Sequence, residues 1–503
     1  MNCMYCQSSN TRLNGIRNGK QRIRCTDCGR SSNMVIVKEL LVDQTSVEYG
    51  SGSVRKYVVT ACQNNAEVHI DFLKTLRSYC DVNNAELLVV PILYRPTDFE
   101  FIEYNIPDDI KYTFVNEKKQ LHNEVFVMGK FNFLPTTVNP LAGLESLSKG
   151  ATLIVPSPQL RMKSSAVSAN RHPAILHTTG AISKPEYANT KVGEKARFNH
   201  SYSAVLIEVD IDNDFHIRTL VADNIEGSFI DLGVEYTPSG SVEFVGSLAL
   251  VTGDEHAIFG SPEVELATYT APDSMVNVLK PTFVVRHDVL DMYSGSHHHK
   301  NDVIKSVGKY YFGLNSVQDE LLLTTEYLKR TSGEFFSIIV PSNHNDHLTK
   351  WLTTVNIKDE PWNALLYHRM MYGVLSTLKK TETGVSHTDP FSIFCKMQGV
   401  ENIKFLSPGE SFRVADVELG AHGHEGKNGS RGSINQYSDL SSKYVIGHSH
   451  TPGIISGAYQ VGTSSKLKLE YTSGPSSWIN CHCFVYKNGK RQLINIINGK
   501  YRA

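Results

Sequence analysis

An α/β fold is predicted by three observations on this 503-residue chain. Short β-branched runs alternate with segments of helical period. In the second half five such runs each end in a cluster of Asp, Asn, His, Ser and Gly. The sequence shows no internal repeat and no low-complexity segment. The chain is long enough for two or three domains with sizeable cores.

Residues 1–40 read as a zinc ribbon. Cys3-x-x-Cys6 and Cys25-x-x-Cys28 have the doublet spacing of a four-cysteine site, and one structural Zn2+ supplies the folding energy that so small a module lacks. Arg12, Arg17, Lys20, Arg22, Arg24 and Arg30 face only Asp27 in this stretch. This basic surplus suits phosphate contact although the whole chain has net charge −1.

Residues 41–55, with Gly50 and Gly52, form a linker, and residues 56–244 a mixed α/β accessory region. Within it Tyr57–Ala61 and Glu86–Leu93 read as buried strands. Val68, Phe72, Leu76 and Tyr79 mark a helix over Asn65–Cys80. Beyond Phe131 come short strands such as Ala151–Val155 and Ser203–Val209, with Arg161, Lys163, Arg171, Lys191, Lys195 and Arg197 on a solvated surface. No glycine-rich phosphate fingerprint occurs there.

Residues 245–503 carry the chemistry. Ser247–Val251 precedes Asp254 and His256, Phe283–Val285 precedes Asp288, and Phe335–Val340 precedes Asn343 and His344. Val417–Leu419 precedes His422, and Tyr444–Ile446 precedes His448 and His450. Ligands in open α/β folds bind at the carboxyl ends of strands, so the five clusters can converge on one crevice. Helices fit between them: Ser316–Arg330 opens with a capping serine, and Pro361–Lys380 with a first-turn proline.

Carboxylate, imidazole and amide oxygen ligands suit two divalent ions, Mn2+ first, which generate hydroxide at neutral pH and stabilise charge in phosphodiester hydrolysis. Asp254 and His256 can grip one ion, and Asp288 is the natural bridge. His424 competes with His422, which lies nearer its strand end. His297-His298-His299 reads as a solvated loop patch, His368 as a core histidine, and Cys481-His482-Cys483 as a strand before the Asn488-Gly489 hairpin turn.

In order, Asp254-Glu255-His256, Asp288-Val289-Leu290-Asp291, Ser342-Asn343-His344-Asn345, His422 and Gly447-His448-Ser449-His450 resemble the motifs of calcineurin-like metallophosphoesterases. The chain departs from the family pattern at His287 and Ser342, where glycines are usual, and at Asn345, with Asp346 next. The resemblance implies a four-layer αββα sandwich. One metal would be held by Asp254, His256, Asp288 and His450, the second by Asp288, Asn343, His422 and His448, with His344 as general acid.

Together with the basic ribbon, the resemblance implies a nuclease with DNA as partner, similar to DNA repair exonucleases and to phage-encoded DNases that degrade host DNA. A phosphatase of a small molecule or phosphoprotein, or a non-catalytic nucleic-acid-binding protein, is the alternative. A homo-oligomer is compatible with the sequence. Sparse cysteines and the absence of a signal peptide or apolar span predict a cytoplasmic protein, in the host cytoplasm if phage-encoded.

Overall fold

The computed structural model describes residues 10–17, 20–33, 52–94, 104–129, 134–168, 171–299, 302–382, 384–469, 472 and 474–503. The chain divides into two compact units, Met1–Val47 and Glu48–Ala503. Mixed α/β structure with several sheets fills the larger one.

In the smaller unit, Thr11–Arg17, Lys20–Cys25 and Ser31–Asn33 form an antiparallel sheet. Its second strand ends at buried Cys25. A tight turn follows, in which Gly29 N donates to Cys25 O at 3.1 Å and Cys25 N to Arg30 O at 2.9 Å, with Cys28 exposed. Cys3 and Cys6, the other half of the expected zinc site, lie outside the described residues. Arg12 stands opposite Arg24 across the first two strands.

Three large sheets build the second unit. In the first, Arg55–Gln63 pairs parallel with Glu86–Ile92 and antiparallel with Ser203–Val209, which pairs with Phe215–Val221. In the second, Ala249–Val251, Phe283–Arg286, Phe336–Ile339 and Ile403–Phe405 run parallel. Cys481–Val485 and Arg491–Asn495 add an antiparallel hairpin at its other side.

The third sheet has ten strands. Their order is Arg413–Val414, Val417–Glu418, Lys443–Ile446, Ala458–Gln460, Gly453–Ile455, Arg161–Ser165, Ala174–Thr178, Thr152–Val155, Val125–Val127 and Lys119–His122.

The expected accessory region, 56–244, and catalytic domain, 245–503, both contribute strands to that order. Strands from both sides of the boundary share one sheet, because Arg161–Ser165 and Gly453–Ile455 leave unpaired edges that satisfy each other antiparallel. They also share one apolar core, in which Val59 and Val205 from the first sheet and Val251 and Val285 from the second meet Ile175 and Val445 from the third.

Helices cover the outer faces. Ile70–Asn83 buries Phe72, Leu73 and Leu76 against Val58 and Leu206; full burial of each such side chain stabilises by about 1.5–3 kcal/mol. It starts later than the expected Asn65 because His69 is its cap, Nδ1 accepting from Phe72 N at 3.3 Å.

Against the second sheet pack Val317–Arg330, capped by Ser316 as expected, with Asp346–Thr354, Ala364–Ser376 and Pro390–Met397. The helix expected to reach Lys380 stops at Ser376. Thr377 Oγ1 caps Val374 O at 2.8 Å, and Lys379–Thr381 turns into a hairpin with Gly384–Ser386. His368, expected in the core, is exposed on Ala364–Ser376, two residues from buried Leu366 and Met370 and so on the opposite face of the helix.

Candidate metal centre

Every candidate ligand of the second half leaves a strand end or the loop directly after it. Asp254 follows Ala249–Val251, and its carbonyl accepts from Ser464 N at 2.8 Å. Glu255 N and His256 N donate to His287 O (2.9 Å) and Asp288 O (2.7 Å), which locks the first motif to the second. His256, Asp288, His448 and His450 all have positive φ (41°, 43°, 76° and 57°). Such strain in non-glycine residues persists only where the surroundings over-determine it, and it gathers at functional sites.

Two glycines make the close approach feasible. A Cβ on Gly447 would lie 2.3 Å from Asp254 Oδ1, and one on Gly253 would lie 2.7 Å from the backbone of Thr463.

Asp254, His256, Asp288 and His450 are buried, with one ligand atom of each within 4.8 Å of the others. His450 Nε2 lies 3.1 Å from Asp254 Oδ2, and His256 Nε2 lies 3.0 Å from His450 Nε2. His256 Nδ1 is 2.8 Å from Asp291 Oδ2. A carboxylate at Nδ1 fixes the tautomer and turns the Nε2 lone pair inward, the usual support of a metal-ligating histidine.

His422 and His448, two of the other expected ligands, lie beside this group. His422 Nε2 is 3.1 Å from Asp288 Oδ2, and the His448 ring is 5.3 Å from that of His422. Asp254, His287 and His422 form a second group able to hold an ion, which selects His422 over the partly exposed His424. Asn343 Oδ1, Asp254 Oδ1 and Asp288 Oδ1 are buried and lack a hydrogen-bond partner. Leaving three such oxygens unsatisfied is unfavourable, about 1–3 kcal/mol each and more for a charge, so the donor set fits divalent cations.

Electrostatics match this arrangement. Burial alone raises a carboxyl pKa, yet the neighbouring His422 and His344 hold Asp288 well below its ordinary value. Burial lowers His256, but the hydrogen bond and charge of Asp291, with Asp288 and Asp254, carry it up to about 9. Burial and the His422 charge bring His448 down to about 4.

His344 belongs to a third group able to hold an ion, with His256 and Asp291. Its Nδ1 is 2.9 Å from Asp291 O and 3.6 Å from Asp291 Oδ2, and its ring, a quarter exposed, packs edge-on against His256 at 4.7 Å. Asn345 does not support it. Instead Asn345 Oδ1 accepts from Leu290 N at 3.2 Å, tying the third motif to the second.

Two features escaped the sequence reading. His287, taken as a departure from a glycine position, is fully buried with Nδ1 3.2 Å from His422 Nδ1, and burial lowers it to about 4. Its place beside Asp288 at a strand end was the available signal. Beneath the site, the buried Arg286 guanidinium meets Glu255 at 3.2 Å and donates to Thr331 O at 2.8 Å. Tyr269 OH also donates to Glu255, at 2.7 Å. No spacing rule pairs these residues.

His482 accepts from Gly253 N at Nδ1 (2.9 Å) and meets Thr268 Oγ1 at Nε2 (2.8 Å), so it supports the first motif from within its hairpin. His298 packs on His347, with ring centroids 5.9 Å apart.

No family model matches the chain. Over 489 residues it is 34% identical to Protein A1 of Escherichia phage T5, an alignment that covers 92% of this chain and 84% of the phage protein. The chain belongs to the Protein A1 family. The name carries no activity, so the reaction of this family member has to be argued from its site. No helix among the described residues is long and apolar enough to cross a membrane.

Proposed function

We propose that this member of the Protein A1 family is a metal-dependent nuclease that hydrolyses phosphodiester bonds of DNA, with its C-terminal half a metallophosphoesterase sandwich of αββα type. The observation that carries the reading is the convergence of Asp254 and Asp288, each with an unpartnered buried oxygen, on the imidazoles of His256, His422 and His450. Asp254, His256, Asp288 and His450 would hold one ion. Asp288, Asn343, His422 and His448 would hold another, with His287 behind His422. Bound there, divalent cations, Mn2+ first, supply positive charge against the phosphate and lower the pKa of water.

The chain's own groups do the rest. Asp291 orients two histidines at once, His256 through its carboxylate and His344 through its carbonyl. With Nδ1 donating to Asp291 O, the His344 proton available to a leaving oxygen is the one on Nε2. Glu255 and Arg286 hold the strand ends from below and touch no substrate.

DNA is the proposed partner because Arg12 and Arg24 are directly opposed on one sheet. Like charges so placed are unfavourable alone and favourable against a polyanion. Cys25 and Cys28, with Cys3 and Cys6, would hold a structural Zn2+ in that unit, and the host cytoplasm is the proposed place of action.

Turnover of a chromogenic phosphodiester and the matching monoester, with Mn2+ added to chelator-dialysed protein, tests the reading. Preferential diester cleavage is expected. Monoester preference would make the protein a phosphatase, and no turnover of either would leave a binding protein.

A further inference from the structure

The strand order of the ten-stranded sheet is the same read from either end. In the second sheet Ala249–Val251 has a parallel neighbour on one side and an antiparallel hairpin on the other. In the first sheet Arg55–Gln63 has the same neighbours in the same chain order. Each half of the ten-stranded sheet likewise runs antiparallel, parallel, parallel, antiparallel toward the centre. At the centre Gly453 pairs with Lys163, Ile454 with Met162 and Ile455 with Arg161. Exchanging the halves maps this register onto itself, as in an isologous twofold interface.

Backbone hydrogen bonds repeat at matched positions. Val461 N donates to Ile446 O at 2.8 Å, and Thr179 N to Val155 O at 3.0 Å. Thr463 N donates to Ile479 O and Ala181 N to Ser201 O, both at 3.0 Å. Ser464 N donates to Asp254 O and Ile182 N to Ala61 O, both at 2.8 Å. Ser261, which precedes the helix Pro262–Glu265, donates from N to Ser464 O at 3.2 Å, and His69, cap of Ile70–Asn83, donates from N to Ile182 O at 2.8 Å. Val340 N donates to Arg286 O at 3.1 Å, and Val115 N to Val89 O at 2.9 Å. Gly462-Thr463-Ser464-Ser465-Lys466 thereby falls on Gly180-Ala181-Ile182-Ser183-Lys184, with Gly, Ser and Lys in common.

The same matching shows what became of the site. Ala61 stands where Asp254 does, Pro91 where Asp288 does, and the loop from Pro156, where Ser201 N donates to Pro158 O at 2.9 Å as Ile479 N does to His450 O at 3.3 Å, stands where Gly447-His448-Ser449-His450 does. The chain's own carbonyls take up polar side chains around them, although Gln63 Oε1 and Asn64 Nδ2 are left without partners. Gln159 Nε2 donates to Pro135 O (3.2 Å) and Ala196 O (3.1 Å), Gln63 Nε2 donates to Glu186 O (3.2 Å), and His200 spans Ser183 O (2.8 Å) and Tyr187 OH (2.7 Å). Among the described residues every group able to hold a metal lies in the other half.

We infer that residues 55–221 are a second copy of the fold of residues 249–495 that has lost its metal site, so that one chain is a covalent pseudo-dimer of one metal-binding and one plugged lobe. The copy supplies the edge strand and core surface that a twofold partner otherwise would, and its crevice takes neither metal nor substrate.

Two measurements on the full chain test this. The first is titration of chelator-dialysed protein with Mn2+. Gln159→Ala is expected to keep the wild-type stoichiometry and turnover while Tm falls by roughly 2–8 °C, and Asp254→Ala with Asp288→Ala to lose the bound Mn2+. Mn2+ binding that survives in that double variant, or that halves in Gln159→Ala, would place a working site in the first lobe and overturn the inference. Wild-type protein that binds no Mn2+ would refute the proposed function instead.

The second measurement needs no metal: a protease site inserted at the exposed Ser239-Gly240 turn is cut, and the product is sized under native conditions. Halves that stay together are expected, and halves that separate would overturn the pseudo-dimer.

Discussion

The two halves of the larger unit treat the carboxyl ends of one strand arrangement in opposite ways. In residues 55–221 the strand ends carry Ala61, Pro91 and Gln159, and the amide of Gln159 finds acceptors on the chain's own carbonyls. The half's strong charges sit elsewhere, in a closed ion group where Arg218 meets Glu208 at 2.6 Å and Asp231 at 2.8 Å. In residues 249–495 the same ends carry Asp254, Asp288 and the four histidines His256, His422, His448 and His450, with carboxylate oxygens left unpartnered. A fold alone therefore fixes where a site can be, while grouped buried carboxylates and imidazoles, present only in the second half among the described residues, show where a metal could be held.

Substitutions that distinguish the halves should behave unequally. The largest effect is expected for Asp288→Asn. Loss of the bridging charge should lower turnover by roughly a thousandfold or more and reduce bound Mn2+, read by rate and elemental analysis. Unchanged metal content would remove Asp288 from the bridge.

Next come the two buried arginines. Arg286→Met and Arg218→Met each leave a buried carboxylate uncompensated, which destabilises by about 3–5 kcal/mol in denaturant titrations. Only Arg286→Met is expected to lower Mn2+ affinity as well, because only Arg286 underlies the metal strands. Equal loss of affinity in both would break the contrast between the lobes.

Acid should act on the first lobe through Glu208. Burial would raise this group, but Arg218 and Lys56 bring it down to about 2 from an ordinary 4.5. A depressed folded pKa contributes stability that is present above the unfolded value and lost as pH falls toward the folded one. The stability gap between wild type and Glu208→Gln, about 3 kcal/mol from this shift near neutrality, should shrink from pH 5 to pH 3. A gap that grew there would reverse the sign of the coupling.

His344→Ala should keep its metals and lose roughly a hundredfold on a diester with a poor leaving group, but far less on one with a good leaving group. Equal losses would remove His344 as the acid. The smallest effect is expected on deleting residues 1–47: DNA affinity at moderate salt weakens by about tenfold, while small-diester turnover holds.

Much of the site was legible because its ligands sit in short local patterns at strand ends. Asp254-x-His256 and His448-x-His450 are two-residue spacings, and the apolar run before each announces the strand. What lay hidden was long-range. His287 becomes a site residue only beside His422, and Arg286 meets Glu255 only across neighbouring strands. The kinship of the lobes survives in backbone hydrogen bonds between residues more than a hundred positions apart, while Ala61 and Pro91 erased its polar signature. The joining of the two sides across the boundary expected near residue 245 was hidden for a related reason. Edge pairing between Arg161–Ser165 and Gly453–Ile455 is a property of two strands far apart in sequence, and neither run reads as an interface.

The central claim, a metal-dependent nuclease centre in the C-terminal half, is tested most directly on DNA. Linear and circular duplexes are incubated with chelator-dialysed wild-type protein and Asp254→Asn, each with and without added Mn2+, and the products are resolved on a gel. The account predicts cleavage by wild-type protein with Mn2+, none without it, and at most traces with Asp254→Asn. Equal cleavage by the variant, or full cleavage in excess chelator, would contradict it.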